Sequence, residues 1–226
     1  MTLEQLIRRV TERLKRSNIF YGHGTDNPAD EACYLVASVI GFDAIYINPD
    51  TGLEVEPRQQ ESIEQLVKLR IDTRKPAAYL VNKAWFAGLE FYVDERVLVP
   101  RSPIAELIED RFQPWIDVNM TRRVLDIGTG SGCIAIACAS YLEEVTVDAV
   151  DIDPDALQVA RKNIAAHGLE HRVRPVQADL FPGDPQQQYD VIIANPPYVS
   201  IEEIRQLPDE YHHEPVSALE ADDQGL

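Results

Sequence analysis

The 226-residue sequence has few cysteines and lacks long apolar runs. Its three cysteines, Cys33, Cys133 and Cys138, are an odd set without metal-ligand spacing, and the last two fall in a small-residue helical stretch. We expect no disulfide scaffold, no metal site and a reducing cytosolic compartment. No stretch reaches the roughly 18 apolar residues of a membrane-spanning helix. Residues 1–15 alternate charged and apolar side chains, unlike a secretion signal.

Basic residues are also scarce. There are 21 lysines and arginines against 38 aspartates and glutamates, and the formal net charge is −17. A protein that grips nucleic acid by its phosphates normally presents a basic face. The charge therefore favours a basic protein partner and a cationic small molecule, although acidity that only confers solubility stays open as an alternative.

The sequence pattern of residues 1–76 predicts a small helical domain. Apolar residues recur at helical spacing between Leu3 and Leu14. Asn27 and Pro28 are typical of a helix cap followed by a first-turn proline, and Pro57 opens a third helix. His23 lies between two glycines, and we interpret it as structural rather than catalytic.

Residues 77–103 change to aromatic and β-branched side chains, which predicts a β-hairpin linker between two domains. We expect extended segments at residues 79–81, 85–86, 89–93 and 97–99, with a turn at Gly88. Two prolines in the sequence Pro-Arg-Ser-Pro, residues 100–103, end this region and open another helix.

Residues 104–226 repeat the pattern of strand, loop and helix, which predicts a doubly wound α/β fold with helices on both faces of a parallel sheet. The four expected strands are residues 124–127, 145–150, 173–176 and 189–194. The carboxyl ends of parallel strands share one edge, where open α/β sheets place their ligands.

The fourth strand ends at Asn195-Pro196-Pro197-Tyr198, because consecutive prolines have no N–H to donate to a ladder. The Asn195 side-chain carbonyl and the Pro196 main-chain carbonyl offer two acceptors, which suits an incoming NH2 group with its two donors. Tyr198 adds an aromatic wall. The plainer alternative is a strand-ending turn, since Asn-Pro marks turns anyway.

The first strand of this region runs into a glycine loop, Asp126-Ile127-Gly128-Thr129-Gly130-Ser131-Gly132. Glycines let the backbone approach a ligand, and the following helix presents free N–H groups. Dinucleotide enzymes have a related pattern, but here an acid precedes the first glycine by two residues. The next strand ends at Asp151, which could accept both ribose hydroxyls or only terminate the strand.

The third strand ends at Asp179. A carboxylate there could accept a hydrogen bond from an adenine amino group, with Leu180 and Phe181 packing against the ring. A solvated loop acid is the alternative. The ends of four successive strands thus carry glycines, an acid, a second acid and Asn-Pro-Pro-Tyr, which is the condition for one shared site.

These motifs resemble those of class I S-adenosylmethionine-dependent methyltransferases. Within that class the chain is similar to the glutamine N5-methyltransferases that modify Gly-Gly-Gln segments of release factors and ribosomal proteins. The resemblance covers nearly the whole chain and is carried by residues 21–28, 82–86, 90–104 and 195–198. Ser102-Pro103 favours the branch that acts on a large-subunit ribosomal protein.

The resemblance implies S-adenosylmethionine as the methyl donor and a glutamine side-chain amide as the acceptor. The implied catalytic residues are Asn195, Pro196 and Tyr198. The implied substrate-binding residues are Asn195, Pro196, Pro197, Tyr198 and Phe86. The implied cofactor-binding residues are Asp126, Gly128, Thr129, Gly130, Gly132, Asp151, Ile152, Asp179, Leu180 and Asn195.

We expect a basic ribosomal protein of the large subunit as the partner, no membrane or direct nucleic-acid binding, and a monomer. One alternative is an N-methyltransferase acting on an exocyclic amine of a nucleic-acid base, because an adenine N6 presents the same two hydrogens to Asn-Pro-Pro-Tyr. Another is an inactive remnant that only binds protein. It arises because the family pattern continues past residues 214–219 toward a seven-stranded sheet, so the sheet is expected to be truncated.

Overall fold

The computed structural model describes residues 1–42, 52–183 and 187–221. The chain forms two compact units. The helical unit is Met1–Asn82 with Leu207–His213, and the sheet unit is Lys83–Gln206 with Glu214–Leu226. In the residues described, none of the helices combines the length and apolar character that crossing a membrane requires.

The helical unit is built from amphipathic helices around one apolar core. Asn27 caps the second helix by accepting from the N–H groups of Ala29 and Asp30, and Pro28 occupies its first turn. The described α-helices are α1 (Leu3–Arg16), α2 (Pro28–Ile40), α3 (Pro57–Thr73) and α4 (Ala77–Val81), and a 3-10 helix, Asp209–His213, belongs to the same unit. Core residues with fully buried side chains include Leu6, Leu14, Leu35, Ile63 and Val67.

Helix α4 corrects the prediction of an extended segment at residues 79–81. Arg74 ends α3 in the left-handed region, with φ of 62°. The N–H groups of Tyr79 and Leu80 then donate to the carbonyl of Pro76, which closes a helical turn. Tyr79 is buried, so tertiary packing outweighs its preference for strands. The helical unit therefore extends past the predicted boundary at residue 76.

A buried ionic cluster lies inside the helical unit. Arg70 is 1% exposed, and its guanidinium donates to Glu31 at 2.8 Å and to Glu210 at 3.3 Å. Glu210 also accepts from the N–H of Phe20 at 2.8 Å. The cluster thus fastens a late segment of the chain to the early helices. His23 packs against Tyr211 in the same segment, with ring centroids 4.4 Å apart.

The sheet unit begins with a short antiparallel hairpin and continues into alternating strands and helices. Gly88 adopts φ of 69° at the hairpin turn. The elements are β1 (Ala84–Phe86), β2 (Leu89–Phe91), α5 (Ile104–Glu109), β3 (Arg123–Ile127), α6 (Cys133–Tyr141), β4 (Thr146–Asp151), α7 (Pro154–Ala166), β5 (Val173–Gln177), β6 (Val191–Ala194) and α8 (Ile201–Ile204). A 3-10 helix, Val216–Ala218, follows α8 in this unit.

The four strands β3 to β6 pair in parallel in the order β5-β4-β3-β6. The chain moves outward from β3 to β5 and then returns to add β6 on the other side of β3. This reversal confirms the predicted doubly wound sheet. Helices α6 and α7 supply the first two crossovers. The described parts of the β5–β6 connection, residues 178–183 and 187–190, contain no helix.

Helix α6 fills the core beneath the sheet. All residues from Cys133 to Ala139 are buried, which agrees with the small apolar sequence of this helix. Cys133 and Cys138 are free thiols inside this core. Burial raises the pKa of Cys133 to about 12, so this thiol is an inert packing group.

Candidate active site at the strand tips

The register of the sheet aligns three strand tips. Ile127 of β3 pairs with Val150 of β4 on one side and with Ala194 of β6 on the other. Adjacent strands lie about 4.8 Å apart. Val150, Ile127 and Ala194 thus form a row across three strands. The residue that follows each of them in the chain is Asp151, Gly128 and Asn195, respectively. Residues predicted from separate motifs therefore meet at one edge of the sheet.

The fourth tip joins the same edge. Gln177 of β5 pairs with Asp151, and the N–H of Ala178 donates to the Asp151 carbonyl at 3.2 Å. Asp179 follows and is exposed to solvent. The chain reverses between β5 and β6, so the row spans the switch point where open α/β sheets bind ligands.

The glycine loop is held by hydrogen bonds to the end of β4. The N–H of Thr129 donates to the Val150 carbonyl at 2.9 Å, and the N–H of Gly130 donates to Asp151 Oδ2 at 2.8 Å. Gly128 and Gly130 have φ of 70° and 54°, and no atom lies within 4 Å of a Cβ built on either. The open space above both glycines fits a ligand that must approach the backbone closely.

Gly132 serves a different purpose. Its φ is 80°, and a Cβ built there would lie 3.3 Å from the Cβ of Ala160 in α7. The third glycine of the loop therefore permits close packing between the loop and this helix rather than contact with a ligand. Its predicted role in cofactor binding is indirect on this geometry.

Asp126 lies beneath the glycine loop and is completely buried. Its Oδ2 accepts from the Thr129 hydroxyl at 2.6 Å, while Oδ1 has no hydrogen bond of normal geometry within the described part of the chain. Burial raises the pKa of Asp126 to about 7; Thr129 and the Ala135 backbone partly oppose this, and the Asp151 charge adds to it. Asp126 thus supports the loop through Thr129.

Asp151 lies half-buried at the tip of β4. Its two carboxylate oxygens accept from the N–H groups of Gly130 and Asp153, at 2.8 and 3.0 Å. A carboxylate oxygen can accept more than one hydrogen bond, so capacity for two ribose hydroxyls is left. Ile152, the next residue, is 66% exposed and offers an apolar surface beside the carboxylate.

Leu180 and Phe181 form an exposed apolar pair at the tip of β5, each with 55% of its surface in solvent. Leu180 adopts φ of 67°, and the N–H of Phe181 donates to the Asp179 carbonyl at 2.9 Å. Adjacent large apolar side chains left in water are typical of a binding surface. With the carboxylate of Asp179, the tip suits a flat ring that carries an amino group.

Asn195 is half-buried and Tyr198 is 71% exposed at the tip of β6. The chain is fixed again at Val199, whose N–H donates to the Leu219 carbonyl at 2.9 Å and whose carbonyl accepts from Ala221 at 3.0 Å. Residues 195–198 therefore connect the end of β6 to the anchored residue Val199. Their polar and aromatic side chains are available to contact a substrate.

Phe86 is not part of this row. It is 4% exposed and belongs to the core that α6 and the hairpin form. Core packing accounts for its position, and its predicted contact with the substrate stays a prediction. The neighbouring Trp85 is 39% exposed.

Asn163 is a site-supporting residue that the sequence analysis missed. It is 1% exposed on α7 and donates from Nδ2 to the Ser131 carbonyl at 2.8 Å. The same side chain exchanges two hydrogen bonds with the backbone of Tyr92, at 2.8 and 3.0 Å. One buried amide therefore ties the glycine loop to the hairpin. The available signal was a polar residue on the apolar side of α7, beside Ala160 and Ile164.

A doubly wound sheet with a glycine loop after its first strand, an acid after the second and Asn-Pro-Pro-Tyr after the fourth defines a class I S-adenosylmethionine-dependent methyltransferase. The family model described as "Methyltransferase small domain" matches residues 111–214. The open glycines, the spare acceptor capacity of Asp151 and the exposed apolar pair fit this cofactor.

Comparison with curated proteins narrows the class. The chain is 44% identical, over all of its length and 72% of the relative's, to a protein of Francisella tularensis named "Ribosomal protein uL3 glutamine methyltransferase". A protein of the same name from Bordetella pertussis is 43% identical, with 76% of that relative covered. The chain belongs to the family of ribosomal protein uL3 glutamine methyltransferases.

Solved structures give weaker similarities. The catalytic domain of human METTL16 with an RNA hairpin has a TM-score of 0.48 and 20% identity, over 83% of this chain and 66% of that one. The N-terminal domain of human METTL16 with SAH has a TM-score of 0.41 and 22% identity, over 76% of this chain and 70% of that one. Neither similarity decides anything about substrate.

Proposed function

We propose that this protein transfers a methyl group from S-adenosylmethionine to the side-chain amide nitrogen, N5, of a glutamine in the large-subunit ribosomal protein uL3. The register that puts Gly128, Asp151 and Asn195 in one row carries the proposal, because it joins a cofactor surface to an amide-binding group. The names of the two curated relatives support the choice of substrate.

Five residues at the strand tips would hold the cofactor. The backbone at Gly128 and Gly130 lies open to it, and the Asp151 carboxylate accepts from the ribose hydroxyls. Asp179 accepts from the adenine amino group, beside the apolar side chain of Leu180. When bound, S-adenosylmethionine supplies a methyl group activated by a positively charged sulfonium.

An amide nitrogen is a poor nucleophile, because its lone pair is delocalised into the carbonyl. The protein therefore contributes mainly alignment. Asn195 Oδ1 and the Pro196 carbonyl accept both amide hydrogens and aim the nitrogen at the methyl group. As positive charge develops on nitrogen, these acceptors bind it more strongly, which favours the transition state over the ground state. Tyr198 walls the glutamine side chain.

The mechanism needs no general base from the chain. An amide that has gained a methyl group on nitrogen is a strong acid, and its extra proton passes to solvent. The chain therefore needs to supply only hydrogen-bond acceptors for the amide, and these are the side-chain carbonyl of Asn195 and the main-chain carbonyl of Pro196. The carboxylate that is buried nearby, Asp126, is engaged by the Thr129 hydroxyl at 2.6 Å and supports the glycine loop.

Charge supports a basic protein as the partner. Acidic residues outnumber basic ones by more than two to one in the sheet unit, which holds the strand tips. A surface of this sign attracts a cationic protein and repels the phosphates of free nucleic acid.

The enzyme acts as a monomer in the cytosol, and its free thiols are suited to that reducing compartment.

Labelled methyl transfer to purified uL3 tests the proposal. The chain is incubated with S-adenosylmethionine that carries a labelled methyl group, and peptides of uL3 are sequenced by mass spectrometry. We expect one methyl group on one glutamine side chain, and no transfer to a uL3 variant in which that glutamine is glutamate. Unlabelled uL3, or label on the bases of RNA or DNA offered in its place, would contradict the proposal.

A further inference from the structure

We propose that Arg101 and Glu214 are a positioning pair that fixes the Asn195–Tyr198 loop for catalysis. The inference rests on the proposed function, because the geometry that it protects is that of Asn195 toward the glutamine amide. Arg101 belongs to the Pro-Arg-Ser-Pro segment that follows the hairpin, and Glu214 begins the segment that follows Leu207–His213. Neither residue belongs to the row of strand tips formed by Gly128, Asp151 and Asn195.

The pair is a two-pronged ion pair inside the sheet unit, between the partly exposed Arg101 and the buried Glu214. Arg101 Nη1 donates to Glu214 Oε1 at 2.5 Å, and Nη2 donates to Oε2 at 2.6 Å. The N–H of Val99 donates to Oε1 as well, at 3.1 Å. Glu214 is 3% exposed. Two parallel charge-assisted bonds and a backbone bond fix both the position and the rotation of the carboxylate.

From Glu214 the chain leads directly to the motif. The 3-10 helix Val216–Ala218 follows, and the Leu219 carbonyl then accepts from the N–H of Val199 at 2.9 Å. The N–H of Ala221 donates to the Val199 carbonyl at 3.0 Å, which completes a parallel bridge between Val199 and Glu220. Val199 is the residue after Tyr198, so the fixed carboxylate determines where the loop ends.

The loop depends on this second anchor. Pro196 and Pro197 have no N–H groups, and within the described part of the chain no hydrogen bond outside the β-ladder holds residues 195–198. Strand β6 holds the loop at Ala194, and the bridge holds it at Val199. A displacement of about 1 Å at a reacting group can cost about 100-fold in rate. The angle of Asn195 is therefore set in part by the ion pair.

The test compares two carboxylates that both bind arginine in the sheet unit. Glu214→Gln keeps the shape and removes the charge that holds Arg101. Asp148→Asn does the same for a buried carboxylate of β4 that accepts from Arg174 at 2.7 Å. We expect Glu214→Gln to lower kcat about 10- to 100-fold, with the Kd for S-adenosylmethionine nearly unchanged. Asp148→Asn keeps its kcat at temperatures well below its Tm.

Hydrogen exchange supplies a readout that needs no substrate. We expect the Val199 and Ala221 amides to lose protection in Glu214→Gln, while the amides of β3 keep theirs. Arg101→Lys retains the charge but not the two-pronged geometry, and we expect it to show the same pattern with a smaller loss of kcat. It also serves as the second variant if Glu214→Gln does not fold.

A Glu214→Gln enzyme with wild-type kcat overturns the inference, as does an equal loss of kcat in Asp148→Asn. Unchanged protection of the Val199 and Ala221 amides in both Glu214→Gln and Arg101→Lys also overturns it. This result does not depend on whether the wild-type protein methylates glutamine. Failure of the proposed function would be a different result, because the wild-type protein itself would then transfer no methyl group to glutamine.

Discussion

The two loops that meet at the centre of the site are held in different ways. In the glycine loop the N–H groups of Thr129, Gly130 and Gly132 all have partners, at 2.8 to 2.9 Å. The loop also rests on the buried carboxylate of Asp126. The Asn-Pro-Pro-Tyr loop is held at its two ends, and its Tyr198 is 71% exposed.

This difference separates folding from catalysis. The glycine loop is part of the packed interior, so it is formed before a cofactor arrives, and changes in it affect the stability of the fold. The Asn-Pro-Pro-Tyr loop takes little part in the core, so changes in it affect methyl transfer and leave stability and cofactor binding nearly intact.

The largest expected effect is the loss of transfer in Asn195→Ala. The variant lacks one of the two acceptors that hold the amide, and loss of one such group costs about 100- to 1,000-fold in kcat. We expect the Kd for S-adenosylmethionine and the Tm to change little. Steady-state kinetics, calorimetry and thermal unfolding measure these quantities. Asn119→Ala, the same change in an exposed loop before β3, is the control.

Equal methylation rates in Asn195→Ala and the wild-type protein would refute the role of Asn195 as the amide holder. A large loss of cofactor binding would instead show that the two loops are not independent, and the contrast between them would fail.

On the other side, Gly132→Ala is expected to destabilise the fold by about 2–3 kcal/mol. The left-handed backbone costs about 1 kcal/mol for a residue with a Cβ, and the contact with Ala160 at 3.3 Å adds crowding that is felt in a packed core. Denaturant unfolding measures the loss.

Gly168→Ala is the matched control, because Gly168 has φ of 66° with nothing within 4 Å of a built Cβ. It carries the backbone cost alone, about 1 kcal/mol. Equal losses in the two variants would show that the glycine loop is not packed as tightly against α7 as the structure indicates.

Asp151→Ala is expected to weaken cofactor binding by about 1–3 kcal/mol, since the ribose hydroxyls lose their acceptors. The control is Asp190→Ala at the opposite edge of the sheet. Asp190 also accepts from two backbone N–H groups, those of Arg122 and Arg123, at 2.7 and 2.9 Å. Calorimetry that finds the same Kd in Asp151→Ala as in the wild-type protein would reduce Asp151 to a strand terminator.

A further expected effect is a pH dependence of stability from Asp126. Burial raises the pKa of this carboxyl to about 7 in the folded protein, whereas an unfolded aspartate has a pKa of about 4. The folded state thus binds the extra proton between these values. Stability from this group is fully present below about pH 4 and falls as pH rises toward 7, by at most about 1.4 kcal/mol per pH unit.

Urea unfolding at several pH values measures this slope. We expect it to be shallower in Asp126→Asn, which cannot titrate. If the unfolding free energy of the variant had the same slope against pH, the titration of Asp126 would not contribute to stability.

The sequence predicts the parts of this molecule whose signals are local. The strand that ends at Asn195 is evident because two prolines stop a ladder, and the glycine loop is evident because its glycines follow a short apolar strand. The caps at Asn27 and Pro28 are equally local. These features place the site at the strand tips, since parallel strands share an edge.

The rest depends on contacts between distant residues. Tyr79 has the preferences of a strand, but burial in the helical unit makes it helical. Leu207–His213 joins the helical unit because Glu210 pairs with Arg70, which no local pattern indicates. The roles of Asn163 and Glu214 likewise depend on tertiary contacts, because each side chain forms hydrogen bonds with segments that are distant in the sequence.

The most direct measurement is a crystal structure of the protein with S-adenosylhomocysteine and a glutamine-containing peptide of uL3. The account predicts ribose hydroxyls on Asp151, and a glutamine carboxamide whose nitrogen donates to Asn195 Oδ1 and the Pro196 carbonyl while facing the sulfur across the glycine loop. A carboxamide bound away from Asn195, or a nucleoside bound away from Gly128 and Gly130, would contradict it.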